Sequence, residues 1–417
     1  MGPNADLIIR AAIFAAVAVT LIILAASVHP VGGEQTFPEM HIDVEGGQEI
    51  VSKEEYLSCK ITIDDEEYPV EDVDAGIKGR GNSTWAEPKK PYNLKFDKKI
   101  DLFGMGSAKK WVLLANSMDP TLCRNYFALG LAEVLGCPYT SQSRFVNLYV
   151  NGEYRGLYQL CEKVEIGKES VNIDDDTSKE EFGFLVQLDE RAPQQGTEGV
   201  DYFVVGGKCY EIEDPEVEPN QVQFIKDRMQ EAWDALHSGD WGTVQAYLDT
   251  DTFVSTYLVE EFFNDVDVDF SSFYLFRDAG GRLSSGPIWD FDLSAGNTDR
   301  YDRVYYSGLF VAKNSVWYSE LLKYPEFREA VSEKLFEMTS WVQAFLIVNV
   351  NYILGHKGDF DSNMVLWNSV GRAIPSAPLK NMVITSWENH FDNLRMFIYM
   401  KMGYMCEQYP DAFPYRC

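Results

Sequence analysis

Asn264-Asp-Val-Asp-Val-Asp-Phe-Ser-Ser-Phe-Tyr-Leu-Phe-Arg-Asp-Ala-Gly-Gly-Arg-Leu-Ser-Ser-Gly-Pro-Ile-Trp-Asp-Phe-Asp-Leu-Ser-Ala-Gly-Asn297 reads as a short hairpin flanked by two acidic clusters. Phe273 to Phe276 is an aromatic run of strand type, Gly280-Gly281 is a turn signal, and Leu283 to Ile288 returns as the second strand. Asp265, Asp267 and Asp269 then stand at the mouth of the hairpin, and Asp290 and Asp292 leave from its other end. Antiparallel strands bring their open ends together, so these five carboxylates are expected to converge. Like charges repel unless a cation or a shared proton compensates them. Hard oxygen ligands suit Mg²⁺ or Mn²⁺. The alternative is an acidic surface loop on a chain that is acidic throughout. Trp289, Phe291 and Leu293 argue for burial of the second cluster, and a buried carboxylate needs a partner.

Working outward, the 417 residues are 46% apolar and 14% aromatic, enough for one large domain or two intimate ones. The net charge of -29 opposes binding to nucleic acid, which needs a basic face, and to anionic lipid head groups. Ala11 to Val28 carries no charge and follows Arg10. As a helix it would span ~27 Å, close to the ~30 Å hydrocarbon core of a bilayer. It reads as a signal anchor with the N-terminus inside, or as a cleaved secretory signal. The expected organisation is residues 1–10 inside, 11–28 as anchor or signal, 29–39 as linker, 40–402 as the main domain and 403–417 as a tail. The expected location is a single-pass membrane protein with its domain outside, or a secreted protein. Seven cysteines include no Cys-x-x-Cys pair, so structural zinc is not indicated; Cys406 and Cys417 are the expected disulfide.

Alternating strands are read at His41–Glu45, Cys59–Ile63, through Gly76–Trp85, and at Tyr92–Phe96. The turn Gly79-Arg-Gly-Asn-Ser-Thr84 offers backbone N–H groups to phosphate, with Arg80 and Lys95 as counter-charges; a plain β-turn is the alternative. Asp119-Pro120 is expected to open a helix that Gly136 closes. Phe145–Val150 and Glu153–Glu162 flank Asn151-Gly152, a hairpin signal. Helices are expected at Asn220–Leu236 and Phe253–Phe263, and beyond Trp317 at Tyr318–Trp341, Phe345–Leu354, Asn363–Val370 and Thr385–Met402. Strands first and helices last, with the acidic hairpin between, make an α+β layout of two lobes.

Four stretches carry a family resemblance: Gly79-Arg-Gly-Asn-Ser-Thr-Trp85, Lys89-Lys-Pro-Tyr-Asn-Leu-Lys-Phe96, Leu148-Tyr-Val-Asn-Gly-Glu-Tyr-Arg-Gly-Leu-Tyr158 and Gly286-Pro-Ile-Trp-Asp-Phe-Asp-Leu293. Together they resemble the CotH kinase family, the spore coat protein H-like atypical protein kinases, over about Met40 to Met402. The resemblance implies a kinase-like fold with a strand-rich N-terminal and a helix-rich C-terminal lobe. It also implies ATP with Mg²⁺ or Mn²⁺, and transfer of phosphoryl groups to Ser or Thr of a protein partner at the cell surface or in a coat. Asp267 matches the family's catalytic carboxylate. Asp290, with Asp292 beside it, is similar to the metal-binding Asp. Lys95 occupies the position of the phosphate-binding lysine. Glu162 is implied in a lysine-pairing or metal role, and Arg80 in phosphate contact. Ser272 stands where some members carry an Asn metal ligand; a hydroxyl is the poorer ligand. Two other function classes stay open, an inactive surface binding or scaffold protein and a metal-dependent hydrolase of envelope polymers.

Overall fold

The computed structural model describes residues 35–299, 305–369 and 384–409. Seven strands form a closed barrel: β1 (Glu39–Val44), β2 (Leu57–Asp64), β3 (Val70–Gly79), β4 (Tyr92–Asp101), β5 (Ser107–Leu114), β6 (Ser143–Val150) and β7 (Glu153–Glu162). The spatial order is β1-β2-β3-β4-β5-β7-β6. Parallel pairing of β1 with β6, Met40 opposite Leu148, closes it and removes the free edges. The strands alternate as their sequences require, so Ile61, Ile77, Leu94, Phe96, Trp111, Leu148 and Leu160 fill the interior. Asn151 and Gly152 both take positive φ, 51° and 78°, in the turn joining β6 to β7.

A second, antiparallel sheet follows, in the order β12-β11-β8-β10-β9. Its strands are β8 (Phe184–Leu188), β9 (Tyr202–Val205), β10 (Lys208–Asp214), β11 (Phe273–Arg277) and β12 (Leu283–Ser285). The acidic hairpin is therefore β11–β12, with β11 paired to β8 and β12 at the edge. The helix Thr250–Phe263 runs into this hairpin and is buried on nearly every side, from Phe253 through Phe263. Its sequence has little amphipathic contrast, as a helix enclosed by other elements should. Around it pack the helices Arg124–Leu135, Pro325–Gly355 and Trp387–Gln408.

The α+β layout is present, with the barrel supplying the strand-rich part. Several local expectations are corrected. The helix expected from Asp119 starts at Arg124. Asp119 instead accepts hydrogen bonds from the Thr121 and Arg124 N–H groups and pairs with the Arg124 guanidinium, holding an irregular turn before the helix. β3 stops at Gly79, and Ser83–Ala86 makes a single helical turn. The two helices expected between Tyr318 and Leu354 are one short turn, Tyr318–Leu321, and one continuous helix, Pro325–Gly355. The segment 11–28 lies outside the described residues, among which no helix is long and apolar enough to cross a membrane. Cys417 also lies outside them; Cys59, Cys123, Cys137, Cys161 and Cys209 carry free thiols.

Candidate active site

The barrel and the second sheet face each other across a cleft of about 400 Å³. A second cavity, beside Lys89 and Asn363, holds only about 20 Å³, too little for any nucleotide. The barrel side of the cleft consists of the loop Gly79–Thr84, Asn93 of β4, Asn116 and Lys163. The sheet side consists of Asp189, Arg191, Glu211, Glu213 and Tyr274. The acidic segment closes it with Asp267, Ser272, Trp289, Asp290 and Asp292.

Asp267 is placed by the end of the buried helix. Asn264 takes a left-handed conformation, φ 47°, and ends that helix. Asp265 then turns inward, and its Oδ1 accepts the Asp267 N–H at 3.2 Å. Asp265 and Glu260 are both buried and hydrogen-bonded to each other; burial raises both pKa values, with Glu261 adding to the rise of Glu260, and Glu260 and Asp267 to that of Asp265. The pair holds a proton in the folded state that the unfolded chain releases above about pH 4.5. Stability is therefore expected to fall as pH rises from that value toward the raised folded pKa, by up to about 1.4 kcal/mol per pH unit. Glu260→Gln should reduce this slope, with the raised Glu211 and Glu162 carboxyls supplying the remainder; chemical denaturation at pH 5 and pH 7.5 reads it, and an unchanged slope would place the shared proton elsewhere.

Asp290 is placed by a polar network beneath it. The Asn125 Oδ1 accepts the Phe291 N–H at 2.6 Å, between the two aspartates. Asn125 donates to Asn116, Asn116 to Gln159, and Gln159 to Ser143, so β7, β6 and the helix Arg124–Leu135 all bear on this loop. Asn297 Nδ2 donates to the Asp292 carbonyl at 2.7 Å. Asp290 and Ser272 both have positive φ, 68° and 63°, and Ser272 Oγ donates to Asp290 Oδ2 at 3.4 Å. Two non-glycine residues held in this region, facing each other, cost of order 1–3 kcal/mol each and mark a site the surroundings enforce.

The cations of the cleft come from both sides. Arg80 lies over the Trp289 ring, 5.7 Å from its centroid. The loop that carries it needs its glycine: a Cβ on Gly79 would lie 2.4 Å from the Trp85 ring. Arg191 forks onto Asp189 with hydrogen bonds of 2.7 and 2.8 Å; that bond, and behind it Asp267 and Asp290, favour its charged form. Burial, then Asp189 and Glu213, push the Glu211 carboxyl up to about 7, and burial raises Glu213 as well. The cleft is thus crowded with acidic groups that added cations would relieve.

The convergence of five carboxylates is reduced to three. Asp267, Asp290 and Asp292 line the cleft. Asp265 turns inward to Glu260, and Asp269 pairs with Lys208 at 2.8 Å. Among the described residues no three His, Cys, Asp or Glu side chains stand close enough to cage a metal by themselves. Mg²⁺ does not ask for such a cage; one or two carboxylates, water and substrate phosphates complete its shell. Asp290 with Ser272, and Asp267 and Asp292 along the same wall, fit that partial donor set.

Lys95 and Glu162 lie outside the cleft. Side chains alternate along β4, so Asn93 and Lys95 share its outer face about 7 Å apart. Asn93 reaches the cleft, whereas Lys95 is exposed, 5.9 Å from the Tyr56 ring. On β7 the alternation separates neighbours. Glu162 faces the barrel end near Gly106 and Glu169, where burial pushes it up to about 7, while Lys163 lines the cleft. Lys163, Arg191, Glu211, Glu213 and Asn125 were not picked out from the sequence. Lys163 and Arg191 lie just beyond the ends of β7 and β8, in Cys161-Glu162-Lys163 and Asp189-Glu190-Arg191, and charged residues following a strand at a sheet rim are the signal in the sequence.

The family model described as CotH kinase protein matches residues 77–405, most of the chain. The chain belongs to the CotH kinase family. The matched span holds most of the cleft lining, including the Gly79–Thr84 loop, Lys163, Arg191 and the acidic hairpin. β1 and β2 precede it, yet pair into the same barrel. No curated protein matches the chain. Membership in the CotH kinase family points to kinase-like, phosphotransferase chemistry, and with it to ATP and a divalent metal in general terms.

Proposed function

We propose that this CotH kinase transfers the γ-phosphoryl group of ATP to Ser or Thr hydroxyls of a protein, at the outer face of a membrane or in the secreted state. The observation that carries the reading is the single cleft in which Asp267 and Asp290 meet Arg80, Lys163 and Arg191. Phosphoryl transfer asks for positioning and charge neutralisation more than for covalent help. Bound Mg²⁺ or Mn²⁺ would neutralise the phosphates at Asp290, with Ser272 and Asp292 as neighbouring oxygen donors. Arg80, Lys163 and Arg191 hold phosphate oxygens. Asp267 orients the acceptor hydroxyl and takes its proton as the acceptor oxygen bonds to phosphorus and ADP leaves.

The test is incubation of the protein with labelled ATP, Mg²⁺ or Mn²⁺ and a generic acceptor protein. Label on the acceptor or on the chain itself supports transfer. Stabilisation by ATP without label supports the scaffold reading, which Ser272 in place of an amide ligand favours. No response to nucleotide overturns both. Lys163 and Lys95 separate cleanly in the same assay. A charged hydrogen bond to phosphate contributes about 1.5–3 kcal/mol. Lys163→Ala should therefore raise the KM for ATP roughly tenfold or more, and Lys95→Ala should leave it unchanged. The opposite outcome returns the phosphate contact to Lys95.

A further inference from the structure

The helices Pro325–Gly355 and Trp387–Gln408 each bury one face in the main core. They run antiparallel: Ser332 Oγ donates to the Tyr409 carbonyl at one end, and Val350 and Phe391 line one small cavity toward the other. Their outward faces carry Trp341, 49% exposed, with Val348 and Tyr352 on one helix and Met396, 63% exposed, with Tyr399 and Met400 on the next. No charged residue occurs from Met338 to Gly355, nor from Met396 to Met400. Exposed carboxylates return only beyond these limits, at Glu333 and Glu337 on the first helix and at Asp392 and Glu407 on the second. Single exposed apolar side chains need no explanation, but a stripe across two neighbouring helices, on a chain of net charge -29, does.

The course of the chain says what covers it. Gln35 lies at this end of the first helix; a Cβ on Gly355 would sit 3.4 Å from its Oε1. Phe37 stacks on His356 and meets Tyr352 edge-on. Val28, the last residue of the uncharged run, precedes Gln35 by at most about 25 Å of extended chain. A bilayer holding that run would stand within the same reach of the stripe. Trp, Tyr and Met on an uncharged helix face suit the boundary between head groups and acyl chains. The helix would lie on the bilayer, since its opposite face is committed to the core.

We infer that this two-helix stripe docks on the surface of a lipid bilayer with uncharged, zwitterionic head groups. The inference rests on the anchored location proposed above. The acidic chain disfavours an anionic surface.

The test uses the full chain in phosphatidylcholine vesicles that contain a photoactivatable phosphatidylcholine, with crosslinked peptides mapped by mass spectrometry. Label is expected within residues 338–355 and 396–400. Trp341→Glu combined with Val348→Glu should lower it about tenfold at both helices, a change of about 1.4 kcal/mol in docking, and leave label on residues 11–28 unchanged. Thermal unfolding of the double variant within a few degrees of the parent shows that the fold is kept; both residues are already exposed. Label confined to residues 11–28 overturns docking and leaves the anchor standing. Recovery of the chain free of lipid after flotation, with no label anywhere, overturns both. An unlabelled stripe with concentration-dependent dimerisation that Trp341→Glu abolishes gives the surface to a second copy, and overturns docking too.

Discussion

Asp290→Asn abolishes phosphoryl transfer, by on the order of 10³ or more, with little change in stability. Asn keeps the shape of the side chain and, like Asp, tolerates the left-handed backbone that Asp290 adopts at φ 68°. The hydrogen bond from Phe291 N–H to Asn125 is made by the backbone and does not depend on the Asp290 carboxylate. What is lost is the negative oxygen facing the cleft, and preorganised charge of this kind is usually the largest single contribution to catalysis. Asp269→Asn is the matched control. Its carboxylate pairs with Lys208 outside the cleft, and a partly exposed pair of this kind contributes at most about 1 kcal/mol. Transfer by Asp269→Asn should stay within a few-fold of the parent. Wild-type phosphorylation by Asp290→Asn, measured with Mg²⁺ and labelled ATP, would falsify the assignment of the metal-facing oxygen.

Lys401→Met lowers stability by about 3–5 kcal/mol, because it leaves a buried carboxylate without its cation. The Lys401 and Glu261 side chains are both 0% exposed, with Nζ 2.7 Å from Glu261 Oε1. Nζ also donates to Asn264 Oδ1 and to the Gly308 carbonyl, and Glu261 accepts the Phe310 and Ala312 N–H groups. Burial raises the Glu261 pKa and lowers that of Lys401, while their mutual attraction works against both shifts. Without Lys401 the folded Glu261 pKa rises further. An acid whose folded pKa is raised holds its proton at low pH, and the stability this preserves is lost as pH climbs past the unfolded value near 4.5. The penalty of Lys401→Met should therefore be smaller at pH 5 than at pH 8. Adding Glu261→Gln should recover part of it, since the buried charge is removed and the amide oxygen still accepts one of the two N–H groups, which reach different carboxylate oxygens. Guanidinium unfolding of the single and double variants decides the matter. A single variant within about 1 kcal/mol of the parent contradicts the measured penalty for breaking buried pairs. Asn264 links this pair to Asp267, so the single variant should also lose part of its transfer activity.

The β6–β7 hairpin was legible because Asn151-Gly152 specifies a turn through φ alone, and β11–β12 because Gly280-Gly281 separates two runs of opposite direction. Helix ends were less legible. Asp119-Pro120 looks like a helix start, but the Asp119 carboxylate is taken by Arg124 and by two N–H groups, and that competition is decided by three-dimensional packing. Asp290 could be named in advance because Trp289 and Phe291 beside it must be buried, and Asp267 through the family resemblance. Lys95 and Glu162 could not be weighed in the same way. For Lys95 the question is how far along one face of a strand the cleft extends; for Glu162 it is which face of a strand the cleft occupies.

By itself the chain's order of residues determined the strand-then-helix layout, the family and the acidic hairpin, since each rests on local periodicity, on turn chemistry or on motif. The closing of the barrel by β1 and β6, the inward turn of Asp265 and the gathering of Lys163 and Arg191 opposite Asp290 were decided only by tertiary structure. The physical reason is distance along the chain. β1 and β6 lie about a hundred residues apart, as do Arg191 and Asp290, and no local rule of dihedral angle or hydrophobic pattern reaches that far. Their approach is set by which buried faces must meet.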